Sequence, residues 1–131
     1  IIESVRHGAR RVLFWNLVLD QDGGPHAGGC DTCRGVVDVD TRNGAVTRTD
    51  EYYALAHASR FVRPGARRVE SSGEVDGVDN VAFVNADGGR VLVVTNSAQA
   101  PRTFSVREGA VGFHATLPAR TLATFTWAPA R

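Results

Sequence analysis

The chain has 131 residues, 43% of them apolar, and a formal net charge of +1. That length holds about one ordinary domain, whereas a complete (β/α)8 barrel needs roughly 250 residues. The near-neutral charge leaves no electrostatic footprint for nucleic acid or an anionic membrane surface, and no apolar run approaches the ~20 residues of a membrane-spanning helix. There is no Met, and all fifteen basic residues are Arg. A start at Ile1-Ile2-Glu3, without a secretory leader pattern, reads as a piece of a longer or processed protein. The Arg residues are scattered, which fits coding composition better than phosphate recognition.

Ile1, Ile2, Val5 and Ala9 recur at roughly helical spacing and predict the end of an amphipathic helix, closed near Gly8–Arg11. Arg11 to Leu19 then reads as a strand of the buried type, in which an uninterrupted apolar run ends in Trp15-Asn16 and Leu17-Val18-Leu19 follow. Such a run predicts a strand covered by protein on both faces. Residues 20–35 follow as a Gly-rich loop carrying Asp22-Gly23-Gly24-Pro25 and Gly28-Gly29. Val36–Asp40 and Ala45–Thr47 flank Arg42-Asn43-Gly44, a strong hairpin signal. Thr49 or Asp50 can cap a helix running to about Phe61, stopped by Pro64-Gly65.

Beyond Pro64 the pattern changes to short strands at Arg67–Ser72, Val78–Asn85, Arg90–Asn96, Arg102–Val106, Val111–Leu117 and Leu122–Trp127. Turn signals separate them, and the spacing predicts an antiparallel sandwich or barrel. The single buried strand in the first half needs neighbours that this sequence does not supply, since unpaired buried backbone is costly.

These residues resemble a known family. Trp15-Asn16-Leu17-Val18-Leu19, Gly23-Gly24-Pro25, the stretch Glu51-Tyr52-Tyr53 through His57, Ser59, Arg60 and Phe61 to Pro64-Gly65, and the tail segments Val81-Ala82-Phe83 and Val91–Asn96 are similar to the end of glycoside hydrolase family 30. The resemblance covers nearly the whole chain in the family's order. It implies a mainly β fold, with a C-terminal antiparallel β-sandwich at 64–131. Before it, 1–63 would be an incomplete helix-strand-loop-helix remnant of a (β/α)8 barrel. It also implies a retaining β-glycosidase of the glucosylceramidase type, whose two glutamates stand ~5 Å apart. By resemblance both lie upstream of Ile1, so this chain alone is expected to be inactive. The sandwich of the family is completed by a strand from before the barrel. Its loss predicts open sheet edges, with self-association or a partner strand. The alternative is a stand-alone carbohydrate-binding or interaction module built on the sandwich.

Trp15 stands where barrel enzymes place their sites and can stack on a sugar ring; it can equally be a core aromatic. Asn16 points to the opposite side of the strand, where it contacts substrate or orients a neighbour. Both are the candidate substrate-binding residues, with no catalytic residue expected in the chain. Cys30 and Cys33 form the only Cys pair. A zinc site needs about four ligands and His26 adds at most a third, so no metal is expected. A thioredoxin-like pair would open a helix, but Arg34-Gly35 and a strand follow. A local disulfide pinning the loop is the preferred reading, with two free thiols as the alternative. A disulfide, with the family resemblance, implies a secreted or extracytoplasmic setting. Asp20 and Asp22 suit turn and capping roles better than acid/base work. His57 reads as packed or solvent-facing, and Phe125 and Trp127 read as sandwich core and edge. No cofactor and no nucleic-acid partner are expected; the expected partner of the parent enzyme is a β-linked glycoside or glycolipid.

Overall fold

The computed structural model describes residues 1–30 and 32–129. They form two compact units, one of residues 11–56 and one of residues 1–10 together with 57–131. In chain order the elements are α1 (Ile2–Arg6), β1 (Val18–Asp20), β2 (Val37–Asp40), β3 (Ala45–Arg48), α2 (Asp50–Ser59), β4 (Arg67–Val69), β5 (Val78–Val84), β6 (Arg90–Asn96), β7 (Arg102–Glu108), β8 (Val111–Leu117) and β9 (Thr121–Trp127). Among the described residues no helix is long and apolar enough to cross a membrane.

In the unit of residues 11–56, β1 pairs in parallel with β2, and β2 pairs antiparallel with β3. The β2–β3 hairpin turns at Asn43-Gly44, where Gly44 has a φ of +75° that favours glycine. Asp40 Oδ1 accepts the N–H of Arg42 at 3.0 Å, and Asn43 Oδ1 accepts that of Ala45 at 2.8 Å, closing the turn.

The expected long buried strand is corrected here. Only Val18–Asp20 is regular strand, and the apolar run before it is open to solvent: Leu13 is 91%, Trp15 81% and Leu17 71% exposed, against 4% for Leu19. The physical reason lies in the sheet. β1 is an edge strand with one neighbour, so little covers the side chains of residues 13–18.

Thr49 precedes α2, and its backbone carbonyl accepts the N–H groups of Tyr52 and Tyr53. Its hydroxyl does not cap the helix. It lies 2.8 and 2.9 Å from the Gly35 and Val36 carbonyls and is shared between them. Helix α2 ends at Ser59, two residues short of the expected Phe61.

The other unit is mainly β. Its four-stranded antiparallel sheet has the order β4-β5-β6-β9, and β7 and β8 pair as a second, two-stranded sheet. The strand bounds follow the sequence pattern closely. The centre of β6, Val91–Val94, is an unbroken apolar run because both of its faces are covered. On one face Val91 and Val93 pack with Val81 and with Ile2 of α1, joined by Val5, Phe61 and Phe83. On the other face Leu92 and Val94 pack with Val78 and Leu117, joined by Phe104, Phe125 and Trp127. Fully burying one such aliphatic side chain contributes about 1.5–3 kcal/mol, so these two clusters are the main stabilisers of the unit.

Two polar side chains staple this unit. The Arg6 guanidinium donates to Ser71 Oγ, to the Ser72 carbonyl and to the Asn80 carbonyl at 2.9–3.1 Å. Asn96 is fully buried. Its Nδ2 faces the carbonyls of Ala100, Leu117 and Pro118, and its Oδ1 accepts the Ala98 N–H. A buried amide with its donors and acceptor used is stabilising, whereas an unpaired one is costly.

Candidate functional site

Trp15 and Asn16 sit just before β1. The Asn16 carbonyl accepts the Val36 N–H at 3.0 Å, and the Leu17 carbonyl accepts that of Val37 at 3.1 Å. Strand pairing therefore brings the C-terminal end of the Gly-rich loop against residues 16–17. The Trp15 indole projects into solvent, leaving a face free to stack on an apolar surface such as a sugar ring.

The loop is tied at both ends. At its start Asp20 Oδ1 accepts the N–H groups of Asp22 at 2.9 Å and Gly24 at 2.7 Å. That is a turn role for Asp20, and it leaves less of the carboxylate for proton transfer. Asp22 accepts the Gln21 amide at 2.8 Å. At its end Gly35 allows a close approach, since a Cβ there would lie 2.5 Å from the Val37 carbonyl oxygen. Between these ties a disulfide joins Cys30 and Cys33, whose Cα atoms are 5.4 Å apart. Among the described residues no group of three or more His, Cys, Asp or Glu is arranged to hold a metal.

Arg34 lies over the first turn of α2, with Nε 3.6 Å from Glu51 Oε1 and Nη2 3.9 Å from Asp50 Oδ2. The Glu51 carboxyl is held below its ordinary range, chiefly by its own backbone N–H and then by the Thr49 side chain and the Arg34 charge, with burial acting against them. The backbone N–H is the firmer of the two hydrogen-bond causes, because the single Thr49 proton is already shared between two carbonyls. The Arg34–Glu51 contact does not stand out in sequence, since the two residues lie in separate segments, a loop and a helix.

In the unit of residues 1–10 and 57–131, His57 Nδ1 lies 3.0 Å from Thr124 Oγ1, and that hydroxyl donates to the His57 carbonyl at 2.9 Å. Nδ1 must therefore carry the proton and donate. His57 is packed, as one of its two sequence readings has it. Phe104, Phe113, Phe125 and Trp127 form one aromatic cluster, with ring centroids 5.3–5.9 Å apart in successive pairs. They are half-buried, and Phe104, Phe125 and Trp127 pack against the cluster of Val78, Leu92, Val94 and Leu117. Glu108 closes this end, accepting from Arg90 Nε at 2.8 Å and from the Trp127 indole N–H at 3.0 Å. A groove of about 720 Å³ runs between the two sheets, walled by Val78, Ala82, Leu92, Phe104, Val106 and Trp127. Among the described residues β7 pairs only with β8, which leaves its other edge without a strand partner there.

Residues 65–125 match the glycosyl hydrolase family 30 beta sandwich domain. The chain is also 34% identical to the solved structure of an endo-β1,6-glucanase, with a TM-score of 0.87 over 98% of this chain and 29% of that one. The chain belongs to glycoside hydrolase family 30. A further solved structure, that of SrfJ from Salmonella typhimurium, is 37% identical with a TM-score of 0.82, covering 88% of this chain and 26% of that one. An endo-1,6-beta-D-glucanase of Aspergillus fumigatus is 36% identical over 71% of this chain and 20% of its own length. The lysosomal acid glucosylceramidase of Mus musculus is 30% identical over 86% of this chain and 22% of its own length. The family 30 chain described here thus spans about a fifth of those two curated relatives. The mainly β fold and the family resemblance drawn from the sequence both hold.

Proposed function

We propose that this chain is the C-terminal portion of a retaining β-glycosidase that hydrolyses β-glycosides such as β-glucosides. Residues 1–63 are then the last helix-strand-loop-helix of a (β/α)8 barrel, and 64–131 the sandwich domain. Trp15 and Asn16 contribute to the substrate site, with Trp15 as a stacking wall. The two catalytic glutamates belong to earlier barrel strands, so the chain alone lacks the paired carboxylates that retaining hydrolysis requires. The setting is secreted or extracytoplasmic, in keeping with the disulfide.

The observation that carries this reading is the solvent-open apolar run of Leu13, Trp15 and Leu17 in a chain whose family members are glycosidases. An exposed contiguous apolar surface marks a place where something docks, and missing barrel strands are that partner. The test is incubation of the chain with an aryl β-glucoside. No turnover above a Trp15→Ala control is expected, and clear turnover would overturn the assignment of the catalytic pair elsewhere.

A second reading rests on the groove and the free edge of β7. It takes the sandwich as an independent sugar-binding or interaction module that also self-associates through its edges. Glucoside titration followed by Trp fluorescence separates the two. Binding that survives Trp15→Ala but is lost on changing Phe104 or Trp127 favours the module.

A further inference from the structure

Asn43 is the one asparagine of this chain that is followed by glycine; Asn16, Asn80, Asn85 and Asn96 precede Leu17, Val81, Ala86 and Ser97. An asparagine so placed can react with its own backbone. The Gly44 nitrogen attacks the side-chain carbonyl carbon of Asn43 and a C–N bond closes a cyclic imide. The Asn43 Nδ2 leaves as ammonia, taking the Gly44 amide proton with it. Water then opens the imide at either carbonyl, giving aspartate or isoaspartate, with no change of oxidation state. A glycine, lacking a Cβ, leaves that approach open, and a Cβ built on Gly44 would meet nothing within 4 Å.

The closed hairpin occupies each atom the reaction needs. The attacking nitrogen donates to the Asp40 carbonyl at 2.7 Å. The leaving Nδ2 donates to Asp40 Oδ2 at 3.1 Å, and Asn43 Oδ1 accepts the Ala45 N–H at 2.8 Å. Asp40 thus holds both the nucleophile and the leaving group. The Arg42 side chain, and then the Arg42 backbone N–H, keep the Asp40 carboxyl below its ordinary range, so it is ionised near neutrality and a strong acceptor. The restraint lasts while the turn stays closed. β3 is an edge strand with all four residues exposed, and Asn43 and Gly44 are exposed as well. Local opening of such an edge needs far less free energy than global unfolding.

We propose that Asn43 is a self-modification site, deamidating with water as the co-reactant, and that Asp40 restrains its rate. The products work against the turn. Aspartate puts a second carboxylate where an amide now donates to Asp40, and like charges so close repel. Isoaspartate routes the backbone through the side-chain carbon and lengthens the turn. The pairs Asp40↔Ala45 and Val39↔Val46 then no longer fit one register, so modification frees β3 from β2.

Peptide mass mapping of the full chain during storage at mildly alkaline pH tests this. Amide-to-acid conversion is expected at Asn43 ahead of the other asparagines, with the isoaspartyl form resolved by chromatography. Urea, which opens the turn, is expected to speed it about tenfold in the wild type. Asp40→Ala is expected to speed it about fivefold without urea and to leave the rate in urea unchanged, as for one lost hydrogen bond to a charged acceptor. Asp40→Asn keeps an oxygen acceptor and loses the charge, so a smaller rise is expected. Hydrogen exchange separates this from general unfolding, because the Leu19 and Val39 amides are expected to keep their rates in Asp40→Asn. First conversion at another asparagine would overturn the site. Equal wild-type rates with and without urea would overturn the restraint, and so would wild-type rates in both Asp40 variants.

Discussion

At the scale of single residues, the ion pairs differ in what they can do. Glu108 accepts from Arg90 and Trp127, and these hold its carboxyl below the ordinary 4.5, Arg90 being the larger cause. A carboxyl lowered by folding binds fewer protons folded than unfolded. Its contribution is therefore complete above about pH 4.5 and is lost as the pH falls through the folded value. The side chain is 45% exposed, so the effect is modest and weakened by salt. The expected outcome is a stability gap between wild type and Glu108→Gln that is largest near neutrality and closes in acid. Denaturant unfolding at a series of pH values measures it, and a gap independent of pH would count against the pairing. None of this was legible in the sequence, because Arg90 and Glu108 lie on separate strands and meet only through sheet packing. The Cys pair was legible, because three residues of separation leave few geometries.

Among the elements, the six later strands could be read from sequence because turn residues separate them, with clear alternation in β8 and β9 and a doubly covered apolar run in β6. The exception is β4, expected to reach Ser72 and ending at Val69. The residues beyond it are held by the Arg6 guanidinium instead of by a strand partner. Arg6 thus adds a polar tie to the apolar contacts that Ile2 and Val5 make from α1. Arg6→Ala leaves the Ser72 and Asn80 carbonyls without this donor and is expected to cost about 1–3 kcal/mol. Urea unfolding measures the loss. A change below a few tenths of a kcal/mol would show that the apolar contacts of Ile2 and Val5 hold the helix unaided. The run before β1 shows the opposite lesson. Apolar residues report a capacity for burial, and whether Leu13 or Trp15 is covered depends on neighbours that a local pattern does not encode.

Across the whole molecule, the exposed apolar run and the free edge of β7 make association the expected behaviour of the chain by itself. Replacing Leu13 and Leu17 by Ser is expected to shift light-scattering mass toward monomer and to move stability by no more than about 0.5 kcal/mol, as for exposed positions. A large stability loss would mean that these side chains are buried in the chain after all. The candidate site was half legible. The motif residues Trp15 and Asn16 announce themselves, whereas the Arg34–Glu51 contact depends on how a loop folds back over a helix. β6 carries a last consequence. Its Val91 and Val93 supply the floor of one apolar cluster, and its Leu92 and Val94 the ceiling of the other. Neither cluster can melt and leave its neighbour intact, so heat should take this unit apart in a single calorimetric step.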